Sequence, residues 1–182
     1  MSTIENKTPI FPGVKDGETF KIGDMEWIKF PIVNGQTPVV MKDIAFRSRF
    51  SGNNDLRSSD VLKRMEEEIL PKIIEAVGKE KLCTIQTDLT TLDGLNPYGT
   101  MESLISLPTL DFYRANVSIF DEHKPGFWWW LATPDSAQPH CDPDWVVCVS
   151  PSGCIDYGRC GNVNGVRPFC IFDSSIFGSF EA

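Results

Sequence analysis

Three indoles in succession, Trp128, Trp129 and Trp130, constrain the fold of this chain more than any other feature. In a strand, neighbouring side chains point to opposite faces, so Trp129 points away from Trp128 and Trp130. Such a run needs cover on both faces of its sheet, or else one face is a binding surface. At least two of the three are expected to be structural. A chain of 182 residues is long enough to supply that cover, since at this size roughly 70% of the unfolded surface is buried without a metal or disulfide staple.

The residues before this run divide into two regions of different period. Thr19 to Ile22, Glu26 to Val33 and Thr37 to Ile44 are short β-rich runs. Asn34-Gly35 lies between the last two and predicts a hairpin, because both residue types tolerate positive φ. Pro31 and Pro38 place these strands at an edge or at strand ends. From Ser58 onward Leu62, Met65, Ile69, Ile73 and Val77 recur at helical spacing. Ser58, Ser59 and Asp60 are N-cap candidates and Gly78 is a C-terminal stop. Pro71 falls inside the pattern and predicts a kink or two consecutive short helices. Glu66, Glu67 and Glu68 are read as the solvated face, and a shorter helix is expected from Thr109 through Leu110 to Ala115. Phe127 to Ala132, Trp145 to Ser150 and Val166 to Phe172 have strand composition. The stretches between them, Thr133 to Asp144 and Ser150 to Gly165, are rich in Pro, Gly, Asp, Asn and Ser and are read as long loops. Strands and helices in this order describe one domain of α+β class.

Composition excludes some functions. With 17 Lys plus Arg against 25 Asp plus Glu the formal charge is -8, the wrong sign for a phosphate-backbone binder, so no nucleic-acid partner is expected. No apolar run approaches the ~20 residues that span a bilayer, so no membrane insertion is expected. The polar start, Met1 to Gly17, lacks the order of a secretory signal. There is no nucleophile elbow, phosphate loop, zinc-protease motif or dinucleotide fingerprint. His140 beside Cys141 suggests a thiol nucleophile, but adjacency in a loop does not supply a base within reach. Asp142, Asp144 and Asp156 offer oxygens to calcium or, as loop aspartates commonly do, cap turns. Cys83, Cys141, Cys148, Cys154, Cys160 and Cys170 lack zinc spacing; they read as packed thiols, with disulfides as the alternative. No metal and no cofactor are expected. Asn6 and Asn116 head Asn-x-Ser/Thr sequons, which are common by chance.

The arrangement Phe127-Trp128-Trp129-Trp130-Leu131-Ala132-Thr133-Pro134, a Val-rich strand at Val146 to Val149, a turn at Gly153, and Gly165-Val166-Arg167-Pro168-Phe169 resembles the variable proteins of diversity-generating retroelements. Gly17-Glu18-Thr19-Phe20, Asn54-Asp55-Leu56-Arg57-Ser58-Ser59 and Ser106-Leu107-Pro108-Thr109 fit the same pattern, so the resemblance spans roughly residues 17 to 175. It implies a C-type lectin-like fold over 17–182 after an extension at 1–16, with a variable region at about 133–165. In that family a reverse transcriptase rewrites adenines near the 3′ end of the gene. AAC-type codons then become any codon ending in C, which cannot encode Lys, Glu, Gln, Met or Trp. From Pro139 to Asn164 only Trp145 belongs to that excluded set. Trp145 must then be scaffold or a fixed contact.

The resemblance implies a non-enzymatic, ligand- or receptor-binding protein from a bacteriophage, prophage or bacterium, its hypervariable C-terminal face carried on a virion (phage tail) or bacterial cell surface, with a cytoplasmic location as the alternative. The expected partner is a protein or other ligand on the surface of a target cell; a homo-oligomer is left open. Asp135, Ser136, His140, Asp142, Asp144, Asp156, Tyr157, Arg159, Asn162 and Asn164 are the candidate display residues. Tyr157 and Arg159 are the best hot-spot candidates, because these types dominate binding energetics. Trp128, Trp129, Trp130 and Arg167 are the expected scaffold, Arg167 through buried hydrogen bonds, with an exposed anion ligand as its alternative. Gln138-Pro139 matches half of a calcium-and-sugar motif, but His140 follows where an acid is needed. The alternatives are an enzyme on the related formylglycine-generating fold, with cysteine oxygen chemistry, and a virion decoration protein.

Overall fold

Asn34 (φ 50°) and Gly35 (φ 74°) both adopt the left-handed backbone that a two-residue hairpin turn requires. The computed structural model describes residues 9–178; Asn6 and half of the expected N-terminal extension lie outside the described residues. Along the chain come β1 (Thr19–Ile22), β2 (Met25–Lys29), β3 (Gln36–Met41), β4 (Phe46–Arg49), α1 (Asp60–Arg64), α2 (Leu70–Val77), β5 (Ile85–Asp88) and β6 (Thr100–Ser103). They are followed by α3 (Leu110–Ala115), α4 (Val117–Glu122), β7 (Trp129–Pro134), β8 (Trp145–Val149), β9 (Ile155–Arg159), β10 (Val163–Val166) and β11 (Phe169–Asp173).

The strands form a four-stranded sheet in the order β1-β2-β3-β11, a five-stranded sheet in the order β4-β10-β7-β8-β9, and the pair β5-β6. All pairings are antiparallel except β10 with β7, which are parallel. Pro38 corrects the edge expectation, because β3 is an inner strand. Its carbonyl accepts from Phe30, just beyond the end of β2 (3.0 Å). Within a strand, N–H and C=O of one residue point the same way, so the donor Pro38 lacks is missing where that ladder has already ended.

The helical stripe is buried as its period predicts: Met65 and Ile73 are inaccessible, and Leu62, Ile69 and Val77 nearly so. Burying each contributes about 1.5–3 kcal/mol. Ser59 is the N-cap and accepts from the Leu62 amide, while Gly78 ends α2 at φ 98°. Between α1 and α2 lies one wide turn, Met65–Ile69, in which the Leu70 amide reaches back to Met65. Pro71, which has no amide hydrogen, follows directly. A π-turn is a known way for a helix to absorb such a break. Glu66, Glu67 and Glu68 are exposed. Thr109 caps α3 by accepting from Phe112, and Asn116 at its end donates to the Phe112 carbonyl (3.0 Å).

Alternation in the strands builds two cores. Trp27, Val39, Met41, Trp130, Ala132, Val146 and Val166 face one, with α1 and α2 closing it. Ile28, Val40, Trp129, Leu131, Val147 and Val149 face the other, closed by Tyr113 of α3 and Phe120 of α4. Trp129 and Trp130 therefore sit in different cores, 1% and 0% exposed. Both faces of β7 are thus buried, one in each core, which is what the indole run demanded.

The architecture is mixed α+β, without a barrel. A second expectation is overturned: Ser150 to Gly165 is not a loop, because it contains β9 and β10. The helix α4 was not anticipated either. All six cysteines are unpaired; Cys148, Cys160 and Cys170 are buried, Cys83 is half-buried, and Cys141 and Cys154 are exposed. Among the described residues no helix is long and apolar enough to cross a membrane.

Candidate functional site

The residues after β7 are held by side chains far away in sequence. Asn54 is fully buried. Its Nδ2 donates to the Ser136 carbonyl (2.8 Å) and the Trp145 carbonyl (3.0 Å), while its Oδ1 accepts from the Tyr98 hydroxyl (2.7 Å). Its backbone N–H also donates to the Pro143 carbonyl (2.9 Å). One side chain thus clamps both ends of the segment from Ser136 to Trp145, using every kind of hydrogen bond an amide offers.

Asp93 performs a similar task on the outer side. Its carboxylate accepts from Thr91 Oγ1 (2.5 Å), Ser136 Oγ (2.5 Å) and His140 Nδ1 (2.8 Å). Those bonds, from Ser136 first, then Thr91 and His140, hold its pKa far below the usual carboxylate range. Burial, and then the Asp93 charge, push the neighbouring Asp135 carboxyl upward. Ser, His and Asp meet here without forming a nucleophile relay. Ser136 donates to the carboxylate and not to the imidazole, so no base is placed to take its proton.

This arrangement corrects part of the expected display set. Ser136 is buried, 6% exposed, with its hydroxyl and carbonyl both engaged, and belongs to the frame. Asp135 is half-buried. His140 is exposed but tethered to Asp93, and Asp142 is exposed, accepting from Gln138 Nε2 (3.0 Å). Asp144 is exposed beside the end of β9, its carbonyl accepting from the Cys160 amide (2.7 Å).

The other display candidates gather around β9, the edge strand of the five-stranded sheet, and divide between its two faces. Register with β8 pairs Trp145 with Arg159 and Val147 with Tyr157, and on the opposite face Cys148 with Asp156. On the first face the Trp145 and Tyr157 rings meet edge-on at 5.4 Å, and the Arg159 guanidinium lies 5.0 Å from the Trp145 ring. Tyr157 is 54% exposed. Trp145 thus lies between Tyr157 and Arg159 and packs against both.

On the second face Trp128, Asp156, Asn162 and Asn164 line a groove of about 250 Å³ floored by Cys148 and Gly158, with Tyr157 at its edge. Trp128 corrects the scaffold expectation: it precedes β7 and is 37% exposed, a wall of this groove. Trp130 is sealed beneath. A Cβ on Gly158 would stand 3.3 Å from the Trp130 ring and 3.5 Å from Asn164 Nδ2, so glycine lets the indole pass under the strand. Trp130 Nε1 donates to the Ser48 carbonyl (3.0 Å). The Cys148 thiol is pushed up to about 12, by burial first and the Asp156 charge second; it stays protonated and unreactive at neutral pH.

Arg167 is inaccessible. Nε donates to Met41 O (3.1 Å) and Nη2 to Lys42 O (2.8 Å) and His123 O (3.2 Å), and the guanidinium lies 4.6 Å from the Trp129 ring. Burial lowers its pKa to about 10, which still leaves it charged at neutral pH. It ties β3 and the end of α4 to the second core, a structural anchor with no exposed face for an anion. Among the described residues no three His, Cys, Asp or Glu side chains converge as a metal cluster would. Asp142 accepts from Gln138 and Asp156 from the Tyr157 amide, at separate places.

Asn54, Asp93 and Tyr98 are the residues that sequence reasoning missed. Apart from Thr91, which is close to Asp93, their partners lie 43 to 91 positions away, and nothing local marks the bonds they make. Comparison with models of known protein families, with curated protein sequences and with solved structures finds no match to this chain. Fold and site together define an α+β protein with a clamped C-terminal segment presenting polar and aromatic side chains on an edge strand.

Proposed function

We propose that the protein is a non-enzymatic binding protein whose C-terminal face is diversified by a retroelement, on a C-type lectin-like fold, to change its target. The observation that carries this reading is the partition inside residues 133–165. Exposed positions there (Asp142, Asp144, Asp156, Tyr157, Arg159 and Asn162) are separate from the buried ones (Val146, Val147, Cys148 and Val149) that hold the segment to both cores. Exposed side chains of this kind change stability by less than about 0.5 kcal/mol when substituted. Diversification demands that property. A rigid frame carrying changeable side chains is also the logic of antibody loops. The partner is a protein or other surface ligand of a target cell, and the protein is carried on a virion, such as a phage tail, or on a bacterial surface.

Buried Cys160 and Cys170, with thiol pKa values raised mainly by burial, weigh against the cysteine-oxidase alternative, because a reactive thiol needs exposure and a lowered pKa. The test is genomic. A reverse-transcriptase gene and a near-copy of the 3′ segment should adjoin this gene, and differences between gene copies should fall on the exposed codons. Differences scattered over the frame would overturn the reading.

A further inference from the structure

We infer that the groove between Trp128 and Asp156 takes a basic side chain, arginine above all, from a protein partner. The inference rests on reading this face as a binding surface, and it names what the present set of side chains selects. Trp128 lines the groove and is 37% exposed, and cations over indoles are attracted by the ring quadrupole. Asp156 is the one carboxylate in the groove lining, and no lining residue is basic. Its Oδ1 accepts from the Tyr157 amide (2.8 Å), which fixes the carboxylate and leaves Oδ2 for an external donor. Asn162 and Asn164 add amide oxygens, and among the described residues neither side chain makes an internal hydrogen bond.

The nearby cations do not neutralise this site. Arg47 lies 3.8 Å from the Phe127 ring, Arg49 pairs with Asp60 (2.6 Å), and Arg159 packs on Trp145 across the strand. A guanidinium is the group that fits, since its plane stacks on an indole while its N–H groups donate in fork geometry to a carboxylate and an amide oxygen. The bond between Asp156 and the Tyr157 amide also occupies a backbone donor that β8 does not use. That blunts the sheet edge against strand addition, so side-chain capture, not an added strand, is the mode this face supports.

The test uses the full chain and short blocked peptides, acetyl-Gly-Arg-Gly-amide against its citrulline and glutamate counterparts. Indole N–H signals are followed by two-dimensional NMR, that of Trp128 being assigned by its loss in W128F. The arginine peptide should shift the Trp128 signal saturably, at least about fivefold more tightly than citrulline. D156N should remove that preference while the Trp129 and Trp130 signals stay unchanged, and added salt should weaken it. Equal binding of arginine and citrulline, or none of either, overturns the inference. So does a Trp128 shift produced by methyl glycosides and not by arginine, which would make the groove a sugar site. A library-selected target that binds through Tyr157 and Arg159 but is indifferent to W128F and D156N would overturn the groove assignment and leave the display reading standing.

Discussion

Replacing Asn54 with alanine removes the side chain that clamps Ser136, Trp145 and Tyr98, and the cost follows from what each partner loses. The Trp145 carbonyl still accepts from the Asp135 amide at 3.0 Å, so that partner forfeits only an ordinary net hydrogen bond of about 0.5–1.5 kcal/mol. Tyr98 is half-buried, and its hydroxyl can turn to water for a similar loss. The Ser136 carbonyl has no other donor among the described residues, and stranding it in a buried site costs about 1–3 kcal/mol. The sum centres on about 4 kcal/mol, a fall in Tm of roughly 8–16 °C for a domain this size. Denaturant unfolding measures the loss directly, and hydrogen exchange should show residues 135–145 losing protection before the rest. N54D supplies a control: it keeps an acceptor for Tyr98 but sets a carboxylate against two carbonyls, and should be at least as destabilised as N54A. A loss below about 0.5 kcal/mol in N54A, or a wild-type N54D, would refute the clamp.

Other consequences can be checked alongside. Trp129→Ala should cost about 3–5 kcal/mol by denaturant titration, as large aromatic truncations in cores do, whereas Tyr157→Ala should leave Tm nearly unchanged and weaken binding of any target. The pKa of Asp93 is depressed in the folded state, so its contribution to stability is present above the unfolded value of about 3.9 and is lost as pH falls through the folded one. The Tm difference between wild type and D93N should therefore be constant at neutral pH and shrink progressively below about pH 4; a difference independent of pH would contradict the hydrogen-bond account. In the native protein at pH 8, iodoacetamide should label Cys141 and Cys154 rapidly, leaving Cys148, Cys160 and Cys170 unmodified until unfolding, with mass spectrometry reading the sites.

What the sequence made legible were features whose cause is local. The α1–α2 stripe, its Ser59 cap and its Gly78 stop depend on helical period and backbone chemistry within a few residues, and the Asn34-Gly35 turn depends on two. β9 was not legible because Ile155-Asp156-Tyr157-Gly158-Arg159 has poor strand propensity, with Asp and Gly among its members. It is a strand because β8 offers a Val-rich partner in register. Trp128 was misjudged because the strand begins one residue later than the indole run. Ser136 was misjudged because its partner, Asp93, is 43 positions earlier. The indole run did state the larger requirement of two covered faces, since alternation along a strand admits no other way to bury Trp129 and Trp130 together.

The claim on which the account depends, that displayed side chains vary independently of the frame, is tested most directly by two matched libraries. One randomises Asp142, Asp156, Tyr157, Arg159, Asn162 and Asn164; the other randomises Val146, Val147, Cys148 and Val149. Protease resistance of the expressed members, read by sequencing before and after digestion, gives the folded fraction of each. Most members of the first library should survive, and few of the second. Equal survival of the two, or collapse of the first, would contradict the separation of frame from display.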